Sequence, residues 1–319
     1  MKIVVLDGYA ANPGDLSWDA IAALGELTVY DRTAPEEVIN RIGNAEIVVT
    51  NKVVITAEIL DACPSIQFIC EFATGYNNID VSAAKARGIP VSNVPSYSTS
   101  SVAQMVFAFL LEIAHRIVAH SDSVHAGRWT NCEDFCFRDY PLFELEGKTL
   151  GIIGYGTIGK RVANIAVSFG MNVLACSRTY RPELSTEHIK IVSQDEVLSN
   201  SDIVTLHAPQ NKESQGLINR KTIAQMKDGV IIINTARGGL VVEQDILDAL
   251  QSGKLGWYAA DVLSTEPPKS DNPLLNAPHT FITPHIAWMT TEARRRLMTT
   301  VQNNLSSFLA GKPINVVNL

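Results

Sequence analysis

Short apolar runs alternate along the chain with stretches in which apolar residues recur at helical spacing. In the first hundred residues the runs predict strands over residues 3–6, 27–30, 47–50, 68–70 and 91–92. Helical patterns such as residues 18–23 and 35–42 separate them. This alternation is typical of a parallel sheet with crossover helices, so we expect an α/β domain at the start of the chain.

A second and longer series of apolar runs begins near residue 149. Its members predict strands over residues 149–153, 173–176, 189–192, 203–207, 230–233, 257–260 and 280–282. The runs are almost wholly apolar, as expected for strands that helices cover on both faces. The series therefore predicts a second parallel sheet.

Two longer helical patterns cover residues 101–119 and 291–309. The first opens at Ser101, which with Gln104 has the form of an N-terminal capping box, and its apolar stripe suits packing between domains. We predict an α/β protein of two doubly wound parallel-sheet domains, one formed by residues 1–98 and 288–319 and the other by residues 99–287.

Length and charge narrow the class of protein. At roughly 150 residues per domain, 319 residues suggest about two domains. The formal net charge is −7, and no run of Lys or Arg exceeds residues 294–296, which argues against a nucleic acid partner. Charged side chains interrupt the most apolar stretch, residues 102–119, which argues against a membrane partner.

The cysteines bear on the compartment and on metal binding. An odd number, five, cannot all pair within the chain, and the N-terminus lacks the pattern of a secretory signal, so we expect a cytoplasmic protein. Cys132 and Cys136 form the one close pair. Because no second Cys or His cluster stands at zinc-ligand spacing, we expect a loop with thiols there and no metal site.

A glycine-rich turn follows the strand predicted at residues 149–153. Its G-x-G-x-x-G pattern predicts a tight turn, close approach of a pyrophosphate and close packing of the next helix, whose N-terminus offers amide donors to the anion. We therefore expect dinucleotide binding at Gly154, Tyr155, Gly156, Thr157, Ile158 and Gly159.

The following strand bears on which dinucleotide binds. In the NAD pattern an acidic residue ends this strand about 20 residues after the glycines. Here the strand is followed by Ser177, Arg178 and Thr179, none of them acidic, and the guanidinium of Arg178 suits a ribose 2′-phosphate. The sequence favours NADP, with NAD as the alternative if Arg178 is only a solvent-exposed side chain.

Three residues that can carry chemistry follow three later strands. Arg237 offers a planar fork to a carboxylate or carbonyl, and His285 can exchange a proton near neutrality. A carboxylate at Glu266 would orient that imidazole and favour its protonated form. Arg237 alone also fits a surface charge, and Glu266 alone a loop salt bridge, but together with His285 they suit carbonyl reduction by hydride transfer.

These motifs together resemble the D-isomer-specific 2-hydroxyacid dehydrogenase family over nearly the whole chain. The resemblance rests on residues 73–80, on residues 93–104, on the glycine turn, and on the order of Arg237, Glu266 and His285. With it, we expect two Rossmann-like domains with a cofactor cleft between them: residues 1–98 and 288–319 as a flavodoxin-like substrate domain, and residues 99–287 as a Rossmann dinucleotide-binding domain. The resemblance implies that Arg237 holds substrate, His285 is the acid/base, and Glu266 tunes it.

The resemblance also implies further contacts. Expected cofactor contacts beyond the glycine turn and residues 177–179 are His207, Ala208, Pro209, Thr235, Ala236, Arg237, Asp261 and His285, with Asp261 on the nicotinamide amide. Expected substrate contacts are Asn51, Thr74, Gly75, Arg237, His285 and Trp288. Thr74 and Gly75 match a loop that presents backbone amides to the substrate carboxylate, whereas Trp288 suits a pocket wall or a domain interface equally.

Within the family, residues 51–53, 135–145 and 285–288 are similar to glycerate dehydrogenases, also called hydroxypyruvate reductases. The expected reaction is therefore hydride transfer that converts hydroxypyruvate to D-glycerate. Glyoxylate reductase and D-lactate-type dehydrogenase are the alternatives with the same machinery, and a nucleotide-sensing transcriptional corepressor is the alternative from another class. The resemblance further implies a homodimer.

Overall fold

The computed structural model describes residues 1–318 and divides into two compact units. The first unit comprises Met1–Ser98 together with the chain from Met289 onwards, and the second comprises Thr99–Trp288. Trp288 thus falls in the second unit, whereas the expected boundary assigned it to the first.

The N-terminal part of the first unit alternates strands with short helices. In chain order these are β1 (Lys2–Val5), α1 (Asp19–Ala22), β2 (Glu26–Val29), α2 (Val38–Ile42), β3 (Ile47–Thr50), α3 (Ala57–Ala62), β4 (Phe68–Glu71), α4 (Val81–Ala86) and β5 (Val91–Ser92). The strands are parallel and lie in the order β2-β1-β3-β4-β5, which is that of flavodoxin-like sheets. The predicted α/β class is confirmed.

Strand β4 is one residue longer than the sequence predicts. The apolar run in the sequence predicts a strand that ends at Cys70, yet β4 continues through Glu71, which pairs with Thr50 of β3 and is fully buried. A carboxyl group therefore ends an interior strand of this sheet.

The second unit contains the longer series of strands. Its elements are α5 (Thr99–His115), α6 (Ile117–His125), β6 (Thr149–Ile153), α7 (Thr157–Ser168), β7 (Asn172–Cys176), β8 (Ile189–Ile191), α8 (Gln194–Asn200), β9 (Ile203–Leu206), α9 (Arg220–Gln225), β10 (Val230–Asn234), α10 (Glu243–Gln251), β11 (Leu255–Ala260) and β12 (Thr280–Ile282). The chain then returns to the first unit as α11 (Thr291–Leu309).

The seven strands of the second unit form one parallel sheet in the order β12-β11-β10-β9-β6-β7-β8. The first strand of this series, β6, lies between β7 and β9, so the chain winds outwards in both directions from β6. In such sheets ligands bind beyond the carboxyl ends of the strands at the point where the winding reverses. The glycine turn follows β6 at this point.

The helix predicted over residues 101–119 is wrong in two respects. Helix α5 begins at Thr99, so Ser101 lies inside the helix and its hydroxyl donates to the Ala287 carbonyl instead of capping the helix. The helix also breaks at Arg116, which has a left-handed backbone (φ +50°), and α6 follows at an angle of 55°. Arg116 is held there by stacking, with its guanidinium carbon 4.5 Å from the centre of the Trp257 ring.

Within residues 1–318 no single helix is long and apolar enough to cross a membrane. The bent pair α5 and α6 meets the criteria of length and composition only when the two are joined.

Candidate active site

Three adjacent strands bring the predicted catalytic residues to one edge of the second sheet. Asn234, Ala260 and Ile282 lie side by side at the ends of β10, β11 and β12. Arg237 follows the first of these strands, Glu266 the second and His285 the third. The loops after neighbouring parallel strands therefore carry the guanidinium, the carboxyl and the imidazole.

His285 and Glu266 form a direct pair. Nδ1 of His285 lies 2.6 Å from Oε2 of Glu266, and Oε1 of Glu266 accepts a hydrogen bond of 3.1 Å from the Leu263 N–H. The side chains are 28% and 36% exposed, so the pair is open to a ligand. Because Nδ1 donates to the carboxyl, proton exchange with a substrate falls to Nε2.

Asp261 holds the backbone around His285. It is buried, with 1% exposure, and accepts hydrogen bonds from the Thr283 hydroxyl (2.5 Å) and from the Ile286 and Ala287 N–H groups (both 2.8 Å). His285 itself has a left-handed backbone, with φ +57°. The sequence missed this positioning role, and the expected contact of Asp261 with a nicotinamide amide stays a prediction.

The loop that carries Arg237 is shaped by Asn234, which sequence reasoning also missed. The Asn234 side chain accepts from the Ala236 N–H (3.1 Å) and donates to the Arg237 carbonyl (2.9 Å), and it is fully buried. The sequence does contain a signal for this role, because Asn234 is the polar last residue of an otherwise apolar strand. The Arg237 side chain is exposed and donates to the Ala236 carbonyl (2.7 Å).

Gly238 brings the Arg237 loop against the loop that carries Glu266. A Cβ atom at Gly238 would overlap the carbonyl carbon and oxygen of Leu263, so only glycine fits this approach. Leu263 in turn donates its N–H to Glu266. The arrangement links the guanidinium loop with the His285–Glu266 pair.

The glycine turn after β6 has the geometry expected of an anion site. Gly154 has φ +106°, and a Cβ there would lie 2.5 Å from the His207 carbonyl carbon. A Cβ on Gly156 would meet nothing within 4 Å, whereas one on Gly159 would overlap the Gly154 carbonyl oxygen. Helix α7 begins at Thr157 without a side-chain cap, so the amides of its first turn, including Ile158, remain available to an anion.

A cavity of about 900 Å³ opens beside this turn, wholly within the second unit. The expected cofactor residues that line it are Gly154, Tyr155, Gly156, Ser177, Arg178, Thr179, His207, Ala208 and Pro209. Residues that sequence reasoning missed also line it, among them Lys160, Arg181 and Ser193. The other expected contacts do not line this cavity. Thr157, Ile158 and Gly159 lie in the first turn of α7, and Thr235, Ala236, Arg237, Asp261 and His285 follow β10, β11 and β12.

The charges of this cavity suit a dinucleotide phosphate. Lys160, Arg178 and Arg181 line it, while the carboxyl of Glu196 accepts from the Ser193 hydroxyl (2.7 Å) and the Ser193 N–H (3.0 Å). The Ser193 hydroxyl bond holds the pKa of Glu196 below its usual range. Ser177 donates its hydroxyl to the Thr179 carbonyl (2.7 Å), which fixes the turn that carries Arg178.

His207 is a neutral lining residue of the cavity. Burial lowers its pKa to about 3, and its Nε2 lies 3.0 Å from the Thr205 hydroxyl oxygen. Within residues 1–318, the buried Nδ1 atom of His207 and the buried hydroxyl of Thr235 have no hydrogen-bond partner. Two expected cofactor contacts therefore offer polar atoms to a ligand, and the site fits a nicotinamide dinucleotide.

The expected substrate residues Asn51, Thr74 and Gly75 lie in the first unit, after β3 and β4. Asn51 is 4% exposed and donates its side-chain N–H to the Phe72 carbonyl (2.8 Å). The Thr74 hydroxyl donates to the Val94 carbonyl (2.7 Å), which fixes this loop.

Comparison with known proteins decides the family. The sequence pattern described as "D-isomer specific 2-hydroxyacid dehydrogenase, NAD binding domain" matches residues 107–287. The chain belongs to the D-isomer-specific 2-hydroxyacid dehydrogenase family. Its members are oxidoreductases, so the predicted class of enzyme is confirmed, together with a nicotinamide dinucleotide as the cofactor.

Individual relatives match most or all of the chain. The chain is 54% identical to a hydroxypyruvate reductase of Blautia hydrogenotrophica over 100% of both chains. It is 39% identical to a glycerate dehydrogenase of Methylorubrum extorquens over 92% of each chain. Among solved structures, an acyclic imino acid reductase in complex with NADPH and D-Arg is similar with a TM-score of 0.87 and 31% identity, over 99% of this chain and 100% of that one.

The five thiols, Cys63, Cys70, Cys132, Cys136 and Cys176, are unpaired in the structure. Residues 1–318 contain no group of three or more His, Cys, Asp or Glu side chains placed to hold a metal ion.

Proposed function

We propose that this dehydrogenase reduces hydroxypyruvate to D-glycerate with NADPH. The observation that carries the proposal is the His285–Glu266 pair, held at 2.6 Å beside the loop that bears Arg237. The 54% identity to a hydroxypyruvate reductase supports the substrate. Residues 285–288, which begin with His285, also form one of the three segments similar in sequence to such enzymes.

His285 supplies the proton in this mechanism. When bound, the reduced nicotinamide supplies the hydride that adds to C2 of the 2-oxo acid. His285 gives its Nε2 proton to the oxygen on that carbon, and the Glu266 carboxylate stabilises the imidazolium before the transfer. The Leu263 N–H holds the other oxygen of Glu266, so the imidazole keeps one orientation.

Arg237 orients the substrate. Its planar guanidinium can make two parallel hydrogen bonds to the carboxylate and the neighbouring carbonyl of a 2-oxo acid, which fixes one face of C2. Asn234 and Gly238 set the backbone from which this side chain extends. Thr74 and Gly75 are our proposed amide contacts of the substrate carboxylate, on the basis of the family resemblance.

Residues 154–159 would hold the pyrophosphate, and residues 177–179 the adenosine end. The preference for NADP rests on Arg178, which lines the cavity directly after the neutral Ser177. A ribose 2′-phosphate would gain charge-assisted hydrogen bonds from Arg178, while no acidic side chain ends β7 to bind a free ribose.

A steady-state panel of hydroxypyruvate, glyoxylate and pyruvate with NADPH and with NADH tests the proposal. We expect hydroxypyruvate with NADPH to give the highest kcat/KM. A higher value with glyoxylate or pyruvate would move the chain to the alternative reductases of the family. A higher value with NADH would overturn the cofactor preference alone.

We also propose a cytoplasmic homodimer without nucleic acid or membrane partners. Support for self-association comes from apolar side chains exposed on and after α6, with Ile117 59%, Val118 60% and Trp129 53% exposed. The net charge of −7 supports the absence of a nucleic acid partner. Five unpaired thiols suit a reducing compartment.

A further inference from the structure

Glu71 is a buried carboxyl that the proposed mechanism does not use. It ends β4 directly before the loop of Thr74 and Gly75, and its exposure is 0%. Its Oε2 atom accepts a hydrogen bond of 3.0 Å from the Asn78 side chain. Its Oε1 atom is sealed from water and has no partner within residues 1–318.

Asn78 connects Glu71 to the neighbouring loop after β3. The same Asn78 nitrogen lies 3.2 Å from the Val53 carbonyl, and the Asn78 carbonyl accepts from the Ile55 N–H (2.8 Å). On the other side of that loop, the carboxyl oxygens of Asp7 accept from the Asn51, Lys52 and Val53 N–H groups at 2.8, 2.6 and 3.1 Å. Glu71 therefore belongs to one network with both loops that carry the expected substrate contacts.

We propose that Glu71 is a positioning residue for substrate binding, whose uncharged carboxyl ties Asn78 to the end of β4 and so fixes the loops of Asn51 and Thr74. The proposal rests on the proposed function in one respect, the role of these loops in holding the substrate carboxylate. It adds a residue that does not touch substrate and acts through Asn78.

The uncharged state follows from the surroundings of Glu71. An ionised carboxylate without water requires several donors or a cation in contact, and here one shared amide is its hydrogen-bond partner. The charged groups that face it are Asp7, which disfavours ionisation, and Lys52, which favours it. Burial outweighs both the Asn78 bond and Lys52, and it raises the pKa of Glu71 from its ordinary 4.5 to about 9.

A consequence is that alkaline pH is expected to disrupt the network. Above about pH 9 the carboxyl ionises within reach of the Asp7 charge, so the loops lose the arrangement that binds substrate. The sign for stability is fixed by the raised pKa. The contribution of Glu71 to the free energy of unfolding is fully present below pH 4.5 and is lost progressively as the pH rises to about 9. In this range the folded protein keeps a proton on Glu71 that the unfolded chain has released.

The first test measures stability and needs no substrate. Glu71→Gln keeps the shape and the acceptor for Asn78 but cannot ionise. Relative to this variant, the folded-to-unfolded ratio of the wild type is expected to fall roughly tenfold per pH unit between about pH 5 and pH 9, and then to level off. Glu26→Gln is the matched control, because it removes an exposed carboxyl from the same sheet.

The second test measures KM for the best substrate of the panel between pH 7 and pH 10, with saturating cofactor. At pH 7 we expect Glu71→Gln to keep KM within about threefold of the wild type. Above pH 9 the wild-type KM is expected to rise relative to that of Glu71→Gln by roughly tenfold per pH unit, because only the wild type ionises at residue 71. The ratio of the two KM values is used since effects of His285 on KM are common to both proteins. The KM of the cofactor is expected to show no such divergence.

Either test can overturn the proposal. Parallel pH dependence of stability in the wild type and Glu71→Gln would show that Glu71 is ionised when buried. A constant KM ratio would show that the network does not position substrate. If none of the three 2-oxo acids were reduced but the stabilities of the wild type and Glu71→Gln still diverged with pH, the proposed function would be rejected. The uncharged state of Glu71 would then stand.

Should Glu71→Gln fail to fold, Asn78→Ala provides the test. It removes the hydrogen bonds from the Asn78 side chain to Glu71 and to the Val53 carbonyl and keeps the carboxyl. Loss of these two bonds predicts a substrate KM at least about three- to tenfold higher at pH 7. An unchanged substrate KM in Asn78→Ala would overturn the proposal.

Discussion

The side chain of Asp261 accepts a hydrogen bond of 2.8 Å from the backbone N–H of Ile286, the residue that follows His285. A second oxygen of Asp261 accepts from Ala287, and the Thr283 hydroxyl completes the set. The acid/base residue thus lies in a short segment in which one buried carboxyl accepts hydrogen bonds from residues before and after it. The imidazole is aimed by backbone hydrogen bonds as well as by its own partner, Glu266.

Replacing Asp261 by Asn should damage both stability and turnover. An amide can orient only one oxygen towards the three donors, which leaves at least one backbone N–H of this segment unpaired. Loss of hydrogen bonds to a charged group predicts a fall of about 1.5–3 kcal/mol in the free energy of unfolding. Urea denaturation measures this, and Thr283→Val, which removes one donor, should lose less. Equal stability of Asp261→Asn and the wild type would show that the hydrogen bonds of Asp261 do not stabilise the segment around His285.

His285→Ala should lower kcat by about 100-fold or more, because general acid catalysis is worth roughly 10²–10⁴-fold. The dissociation constant of NADPH, measured by fluorescence titration, should change little. Glu266→Gln keeps a side chain of the same shape and should give a smaller loss, since the imidazole retains a partner without its charge. Near-normal turnover of His285→Ala would remove His285 from the chemistry.

Arg237→Lys tests the planar fork. Lysine keeps the charge but cannot make two parallel hydrogen bonds, so we expect kcat/KM for the 2-oxo acid to fall by about 10- to 100-fold. The KM of the cofactor should stay within about twofold of the wild-type value. If Arg237→Lys were as active as the wild type, Arg237 would act only through its charge.

Cofactor preference should respond to residues 177 and 178. Arg178→Ala should lower kcat/KM with NADPH by roughly 10- to 100-fold and leave the value with NADH nearly unchanged, because only the 2′-phosphate loses its partner. Ser177→Asp should add a gain with NADH by providing an acceptor for the free ribose. An equal loss with both cofactors in Arg178→Ala would mean that Arg178 contacts something other than the 2′-phosphate.

Self-association should depend on the apolar surface of α6. The double variant Ile117→Asp with Val118→Asp places two charges where the wild type exposes apolar side chains. Sedimentation velocity is expected to show a dimer for the wild type and a monomer for this variant. A monomeric wild type would overturn the homodimer directly.

The strands were predictable because their chemistry is local. Runs of Val and Ile, such as Ile47–Thr50, are buried at every position and read as interior strands. The glycine turn was predictable for the same reason, since strand, turn and helix follow one another in the chain. Arg237, Glu266 and His285 are predicted from their positions after three strands, and the family resemblance adds their roles. The structure supplies the 2.6 Å contact between the last two.

Other features have no local signal. The apolar spacing continues through Arg116 into α6, so the pattern predicts one helix, and only the rings around its guanidinium explain the break. The apolar run predicts a strand that ends at Cys70, and nothing in it indicates that the carboxyl of Glu71 is buried. The surroundings of Glu71 include the nearby Asn78 but also Asp7 and the strand partner Thr50, and no short window of sequence contains all of them.

The left-handed backbone of His285 carries a consequence for evolution of the enzyme. For a side-chain-bearing residue this conformation costs on the order of 1–2 kcal/mol, and glycine would avoid that strain. Selection for thermal stability therefore favours glycine at position 285, whereas selection for turnover favours histidine. A library of variants screened for survival at high temperature alone should be enriched in glycine there, and should lose the enzyme's proton donor as it gains robustness.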